Sequence, residues 1–128
     1  MTDIGRPWRV TLAESPIDDR DPFLFNKTTN RAAYDAARRS RPDVDDVLLW
    51  NQRGEVTEST IANVVADMEG VRITPPVMCG LLAGTYRAEL LEAGVLRERV
   101  VTKNDMAHAR RIWLINSLRG WIEVDLVP

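Results

Sequence analysis

From Asp45 to Thr74 the chain is a succession of short apolar, β-rich runs separated by tight turn signals, and this pattern constrains the fold more than any other feature. DDVLLWN is joined to VTESTIANVV by Gln52-Arg53-Gly54-Glu55, and ANVVADM is joined to VRIT by Glu69-Gly70. Glycine-bearing connections this short join antiparallel neighbours, so three antiparallel strands are expected in succession. Thr74-Pro75-Pro76 ends the meander, because proline has no N–H to give to a ladder.

The flanking segments add helices and more strands. Trp8 to Leu12 reads as a short strand, followed by the acidic, proline-containing stretch ESPIDDRDP, a linker or edge crossing. KTTNRAAYDAARR is alanine-rich helix material, stopped before Pro42 because the residue preceding a proline resists helical geometry. TYRAELLEAG predicts a helix with Leu90 and Leu91 inward and Gly94 at its C-terminal cap. VLRERVVT reads as a strand, Thr102-Lys103-Asn104-Asp105 as a capping box, and RIWLINS with GWIEVDLV as a hairpin turning at Leu118-Arg119-Gly120. Strands and helices do not alternate regularly, so the expected class is α+β: an antiparallel or mixed sheet curling into a pseudo-barrel with a few helices.

Composition narrows the function. At 128 residues one compact domain is expected, and 17 basic against 19 acidic residues offer no strongly basic face for nucleic acid or a membrane surface. Cys79 is the single cysteine and His108 the single histidine, which argues against a disulfide framework, a metal site and a Ser-His-Asp or Cys-His mechanism. No apolar run approaches the ~18 residues of a membrane span, and the start MTDIGRPWRV lacks the apolar core of a signal peptide. A cytoplasmic protein acting on a small molecule is the expectation. Only Lys27 and Lys103 are lysines.

Four segments carry polar residues that a plain core would not need. They are K-T-x-N-R from Lys27, E-V-T-E-S-T-I-A-N from Glu55, T-P-P-x-x-x-G-L-L-x-G-T-x-R from Thr74, and I-N-S-x-R-G-W from Ile115. Their order resembles the class IV aminotransferase family, which has the fold of D-amino-acid and branched-chain aminotransferases. Within it the motifs are most similar to the aminodeoxychorismate lyase branch. The resemblance runs over roughly residues 22–127 and implies a pyridoxal 5′-phosphate enzyme.

Each motif can be set against what that cofactor needs. A Schiff-base lysine must be partly desolvated so that its amine is neutral, and Lys27 matches the family's lysine, whereas Lys103 sits in an exposed helix start. The pyridine nitrogen needs a carboxylate partner, and Glu58 matches that residue. Simple strand alternation would put Glu58, Thr60 and Ala62 on one face and Ser59, Ile61 and Asn63 on the other. Asn63 matches a recurrent family position, read here as structural. The phosphate needs amides at a helix N-terminus, which Gly84, Thr85 and Tyr86 can supply, with Arg31 as a further candidate. Ala83 and Tyr86 depart from the family pattern, which favours proline and a small hydroxyl residue there, so a side-chain contact from Tyr86 is in doubt. Asn116, Ser117 and Arg119 are candidates for the substrate or pocket wall.

The resemblance also implies a shortfall. Class IV enzymes have a smaller N-terminal domain, a linker and a larger C-terminal domain that carries the lysine, and only 26 residues precede Lys27. Residues 1–21 therefore read as an N-terminal strand and linker-like segment, and residues 22–128 as the C-terminal cofactor-binding domain. The expected activity is that of a 4-amino-4-deoxychorismate lyase domain. A branched-chain or D-amino-acid transaminase-like domain and a noncatalytic domain or partner subunit are the alternatives. Whether the isolated chain turns over stays open, and a homodimer or a chain supplying the other domain is the expected partner.

Overall fold

The computed structural model describes residues 7–17 and 34–128. Its strands are β1 (Trp8–Leu12), β2 (Asp46–Trp50), β3 (Val56–Ser59), β4 (Asn63–Met68), β5 (Val71–Thr74), β6 (Arg97–Glu98), β7 (Arg111–Asn116) and β8 (Gly120–Leu126). Helix α1 is described over residues 34–39, and α2 (Thr85–Glu92) and α3 (Lys103–His108) follow. The strands form one mixed sheet in the order β3-β2-β1-β8-β7-β4-β5-β6, and a further β3–β4 pairing closes it into a barrel. The expected pseudo-barrel with few helices is therefore the observed fold.

The meander forms as the turn residues require. Strands β2 and β3, β3 and β4, and β4 and β5 are antiparallel, and Gly54 and Gly70 turn with φ of 79° and 87°, a left-handed geometry that suits glycine. The β7–β8 hairpin is also as expected, with Asn116 opposite Gly120. Strand β1 lies parallel between β2 and β8, so Trp8–Leu12 is a sheet member.

Two local expectations are corrected. VLRERVVT contributes only Arg97–Glu98 as strand, because the chain leaves β5 after Arg99 and crosses to the barrel mouth, where the Val101 carbonyl accepts from Val56 N–H at 2.7 Å. VTESTIANVV is two strands, broken at Thr60–Ala62 by a turn in which Ser59 Oγ accepts from the Ile61 and Ala62 N–H groups at 3.2 and 2.9 Å. A serine hydroxyl that satisfies two turn amides competes with the ladder, which is why the alternation ends there.

Strands β2, β4 and β7 are buried on both sides, which explains their continuous apolar runs. Leu48, Val64, Ala66, Ile112 and Leu114 fill the barrel, and Met106 of α3 joins that interior cluster. Alternate residues pack outside it. Val47 and Leu49 meet Tyr34 of α1, while Val65, Trp113 and Ile115 meet Tyr86, Leu90 and Leu91 of α2. The Thr102 capping box holds α3, with Asp105 N–H donating to Thr102 Oγ1 and Thr102 N–H to Asp105 Oδ2. The two outer clusters leave a strip of sheet between them, and that strip carries the candidate site.

Candidate functional site

Strand β3 delivers Glu58 to the strip through a register shift. Leu48 pairs with Ser59 and Trp50 with Val56, so β3 has one more residue than β2 between these pairs. Such a bulge reverses which way the following side chains point. Val56 joins the interior cluster, yet Glu58 reaches the outer face, opposite its register partner Asn63. The simple alternation that placed Glu58 with Ala62 and apart from Asn63 is overturned by the Thr60–Ala62 turn, which brings Asn63 back opposite Glu58. Ala62 belongs to the interior and Asn63 shares the face of Glu58.

Glu58 is 5% exposed. Its Oε2 accepts a hydrogen bond from Tyr34 Oη at 2.8 Å and another from Leu82 N–H at 3.3 Å. Burial, then the adjacent Glu58 carboxylate, pushes the Tyr34 phenol well above its ordinary range. Asn63 holds the loop that leads into α2, with Nδ2 donating to the Leu82 carbonyl at 2.8 Å and Oδ1 accepting from Gly84 N–H at 3.2 Å. Its expected structural role is thus a clamp of two hydrogen bonds. Gly84 caps α2 in an extended conformation, and the first amides beyond it have no carbonyl one turn earlier to accept from them.

These groups surround a cavity of about 210 Å³ lined by residues that include Tyr34, Glu58, Asn63, Gly84, Thr85 and Tyr86. Asn116 and Ser117 line it too, where the β7–β8 turn begins. The Asn116 side chain also ties that turn to the β3–β4 connection, through Nδ2 to the Ile61 carbonyl at 3.4 Å and Oδ1 to Arg119 N–H at 2.8 Å. The sequence-predicted Glu58, Gly84, Thr85, Tyr86, Asn116 and Ser117 are therefore brought together. Arg119 is not among the lining residues. Its guanidinium lies over the Trp8 ring, 5.4 Å from the centroid, and its N–H is the donor to Asn116 Oδ1. The Tyr86 ring packs on the α2 cluster, leaving its amide as the group suited to an anion. Lys27 and Arg31 lie outside the described residues.

Sequence reasoning overlooked Tyr34, which it passed over within an alanine-rich helix segment. A tyrosine surrounded by alanines was the available signal, since a buried phenol finds a polar partner. It also overlooked Asp46, whose buried Oδ1 accepts from Thr60 Oγ1 at 2.6 Å and fixes the turn after Glu58. Arg87, quoted in the motif without a role, is buried on α2 and donates to the Pro75 carbonyl and to Glu98. Lys103 sits at the start of α3 with its Nζ over the Trp50 ring, 3.6 Å from the centroid. His108 is exposed at the end of α3, with Nδ1 2.8 Å from the Asn104 carbonyl, and Cys79 is buried. A larger open groove of about 610 Å³ beside β1 and β8 contains none of the predicted residues.

Among the described residues, no three His, Cys, Asp or Glu side chains gather to hold a metal, and no helix is long and apolar enough to cross a membrane. A buried carboxylate facing a cavity that ends at a helix N-terminus suits a flat, partly cationic ligand with an anionic tail. That fold and site define the chain's class, and comparison places it. Residues 4–127 match the amino-transferase class IV family, and the chain belongs to that family.

A Schizosaccharomyces pombe protein provisionally named aminodeoxychorismate lyase is 38% identical over 121 residues, covering 88% of this chain and 52% of that protein. A Thermotoga maritima protein, provisionally named branched-chain-amino-acid aminotransferase, is 31% identical over 103 residues, covering 77% of this chain and 38% of its own length. The crystal structure of a Mesorhizobium loti protein, provisionally named amino-acid aminotransferase, superposes with a TM-score of 0.90 at 40% identity, covering 98% of this chain and 62% of that one. The chain spans about half the length of the first of these curated relatives, and less of the second.

Proposed function

We propose that the protein is a pyridoxal 5′-phosphate-dependent 4-amino-4-deoxychorismate lyase, forming 4-aminobenzoate and pyruvate in folate synthesis. The single observation that carries the cofactor assignment is the buried Glu58 carboxylate in a cavity bounded by the N-terminus of α2. The donor set fits the cofactor: an acid for the pyridine nitrogen and amides of Thr85 and Tyr86 for the phosphate. When bound, the cofactor withdraws electrons from the carbon that carries the substrate amine.

The chain's own residues have distinct tasks in this reading. Lys27 Nζ would hold the cofactor and would accept the proton from the amine-bearing ring carbon of the substrate. Cleavage of the ring C–O bond would release enolpyruvate, which takes up a proton to become pyruvate, and would leave an aromatic ring. Glu58 keeps a proton on the pyridine nitrogen, and its burial strengthens that pairing. Arg31 assists at the phosphate, while Asn116 and Ser117 form a wall against the substrate. Arg119 joins them in this reading, holding Asn116 Oδ1 through its N–H. Residues 22–128 supply the cofactor-binding domain, and strand β1 completes their sheet. In this reading the protein works as a homodimer or together with a chain that supplies an N-terminal domain.

The name of the fission-yeast relative supports the lyase reading, and the Thermotoga relative supports an amino-acid transaminase as second reading. In the second, Lys27 returns the proton to a different carbon and no ring is aromatised. A noncatalytic domain or partner subunit is a third. Pyridoxal 5′-phosphate added to the intact protein is expected to give a visible absorption band that Lys27→Ala abolishes. A band that persists in the variant, or never forms, sinks the cofactor assignment. Release of 4-aminobenzoate from aminodeoxychorismate, against turnover of branched-chain or D-amino acids, then separates lyase from transaminase.

A further inference from the structure

Glu58 could be held in the cavity by the sheet alone, yet it is fastened from two other elements. Tyr34 on α1 donates its phenol O–H to Oε2 at 2.8 Å, and Leu82, in the loop before α2, donates its N–H to the same oxygen at 3.3 Å. Tyr34 is 7% exposed and its ring packs with Ala13, Val47 and Leu49, so the hydroxyl is aimed by a packed aromatic body. A phenol in such a place has few rotameric alternatives, and a hydrogen bond to an ionised acceptor in low dielectric is among the stronger ones. Both Tyr34 and Glu58 line the same cavity.

We propose that Tyr34 is a positioning residue for the cofactor site, fixing the Glu58 carboxylate through Oε2 so that it meets the pyridine nitrogen of the cofactor in one orientation. The proposal rests on the cofactor reading above and deepens it. Two donors on one oxygen favour the ionised form of Glu58, the form that a protonated pyridine nitrogen requires as partner. They also restrict rotation of the carboxyl group, so that less freedom is lost when the cofactor binds. The Leu82 N–H belongs to the loop that Asn63 clamps, so the phosphate end and the nitrogen end of the site share one support.

The test is a double-substitution cycle in the intact protein, with pyridoxal 5′-phosphate as the probe and its dissociation constant and visible maximum as readouts. Tyr34→Phe keeps the ring and removes only the hydroxyl. It is expected to weaken cofactor binding about tenfold, the effect of losing one hydrogen bond to a charged group. It should also shift the visible maximum of the bound cofactor, which a purely structural tyrosine would leave in place. In a Glu58→Gln background the same substitution should change binding less than about twofold, because Tyr34 acts through the carboxylate. Unchanged binding in Tyr34→Phe, or the same loss in both backgrounds, overturns the proposal. Tyr34→Leu, which keeps the packing apolar, should reproduce the Tyr34→Phe shift in maximum, and a maximum that stays in place there also counts against it. Absence of cofactor binding by the wild-type protein overturns the cofactor reading together with this one, whereas wild-type binding that Tyr34→Phe leaves intact overturns this one alone.

Discussion

Asn63 Oδ1 accepts a hydrogen bond from Gly84 N–H at 3.2 Å and stands 2.6 Å from where a Cβ on Gly84 would lie. The Gly84 backbone, with φ −68° and ψ 155°, is open to any residue, so the constraint is space and not conformation. The Asn63 amide cannot move aside freely, because Nδ2 is held by the Leu82 carbonyl at 2.8 Å. Gly84→Ala is therefore expected to cost about 1–3 kcal/mol of stability, as overpacking does. In an Asn63→Ala background the same change should cost clearly less. Urea unfolding of the four proteins checks this, and equal costs in both backgrounds would mean that the contact is not the reason for glycine.

The turn after Glu58 depends on a buried acid. Asp46 Oδ1 accepts from Thr60 Oγ1 at 2.6 Å and from Val47 N–H at 2.7 Å, while Oδ2 has no hydrogen-bond partner among the described residues. Thr60→Val preserves the shape and removes the hydroxyl donor. The expected loss is about 1–2 kcal/mol, close to that of one hydrogen bond at a buried acceptor. A thermal or urea midpoint equal to that of the wild type would refute it.

Alkaline pH should act through Tyr34. Its phenol is raised above the ordinary value of 10.0 by burial and by Glu58, so the unfolded chain ionises this residue first. The contribution of the neutral phenol is full below about pH 10 and is lost as pH rises beyond it, because the unfolded state then holds fewer protons. The fall in unfolding free energy between about pH 9 and pH 11 should be shallower in Tyr34→Phe than in the wild type. Parallel slopes would show that Tyr34 titrates normally.

The barrel interior supplies a further check. Leu114 is fully buried between Ile112 and the strands on either side, in the cluster that Met106 joins. Leu114→Ala should cost about 2–5 kcal/mol, the range for a buried leucine that leaves a cavity. Val71→Ala, at 40% exposure on β5, should cost well under half as much. Comparable losses at the two positions would contradict the assignment of the core.

Much of the fold is legible in the chain because its causes are local. Gly54 and Gly70 set the β2–β3 and β4–β5 turns, Thr102 and Asp105 cap α3, and the β7–β8 hairpin follows from two apolar runs around Ser117–Arg119. The motif residues Glu58, Gly84, Thr85, Asn116 and Ser117 were likewise legible as a set, since their types and order are written in one dimension. The parallel insertion of β1 between β2 and β8 was not, because that pairing joins segments more than thirty residues apart and no local rule selects it.

For the same reason the sequence by itself determined which residues could do the chemistry, and only the tertiary structure decided how they are aimed. Alternation along the chain assumes an unbroken ladder; the register shift opposite Leu48 and Trp50 turns Glu58 outward, and the turn at Thr60–Ala62 brings Asn63 back to face it. Tyr34 acquires its partner only when α1 packs on Val47 and Leu49, and the Arg119 guanidinium finds the Trp8 ring only across the sheet. Side-chain direction is a property of neighbouring strands and helices together, and a hydrogen bond between residues 34 and 58 exists only once the sheet has brought them into contact.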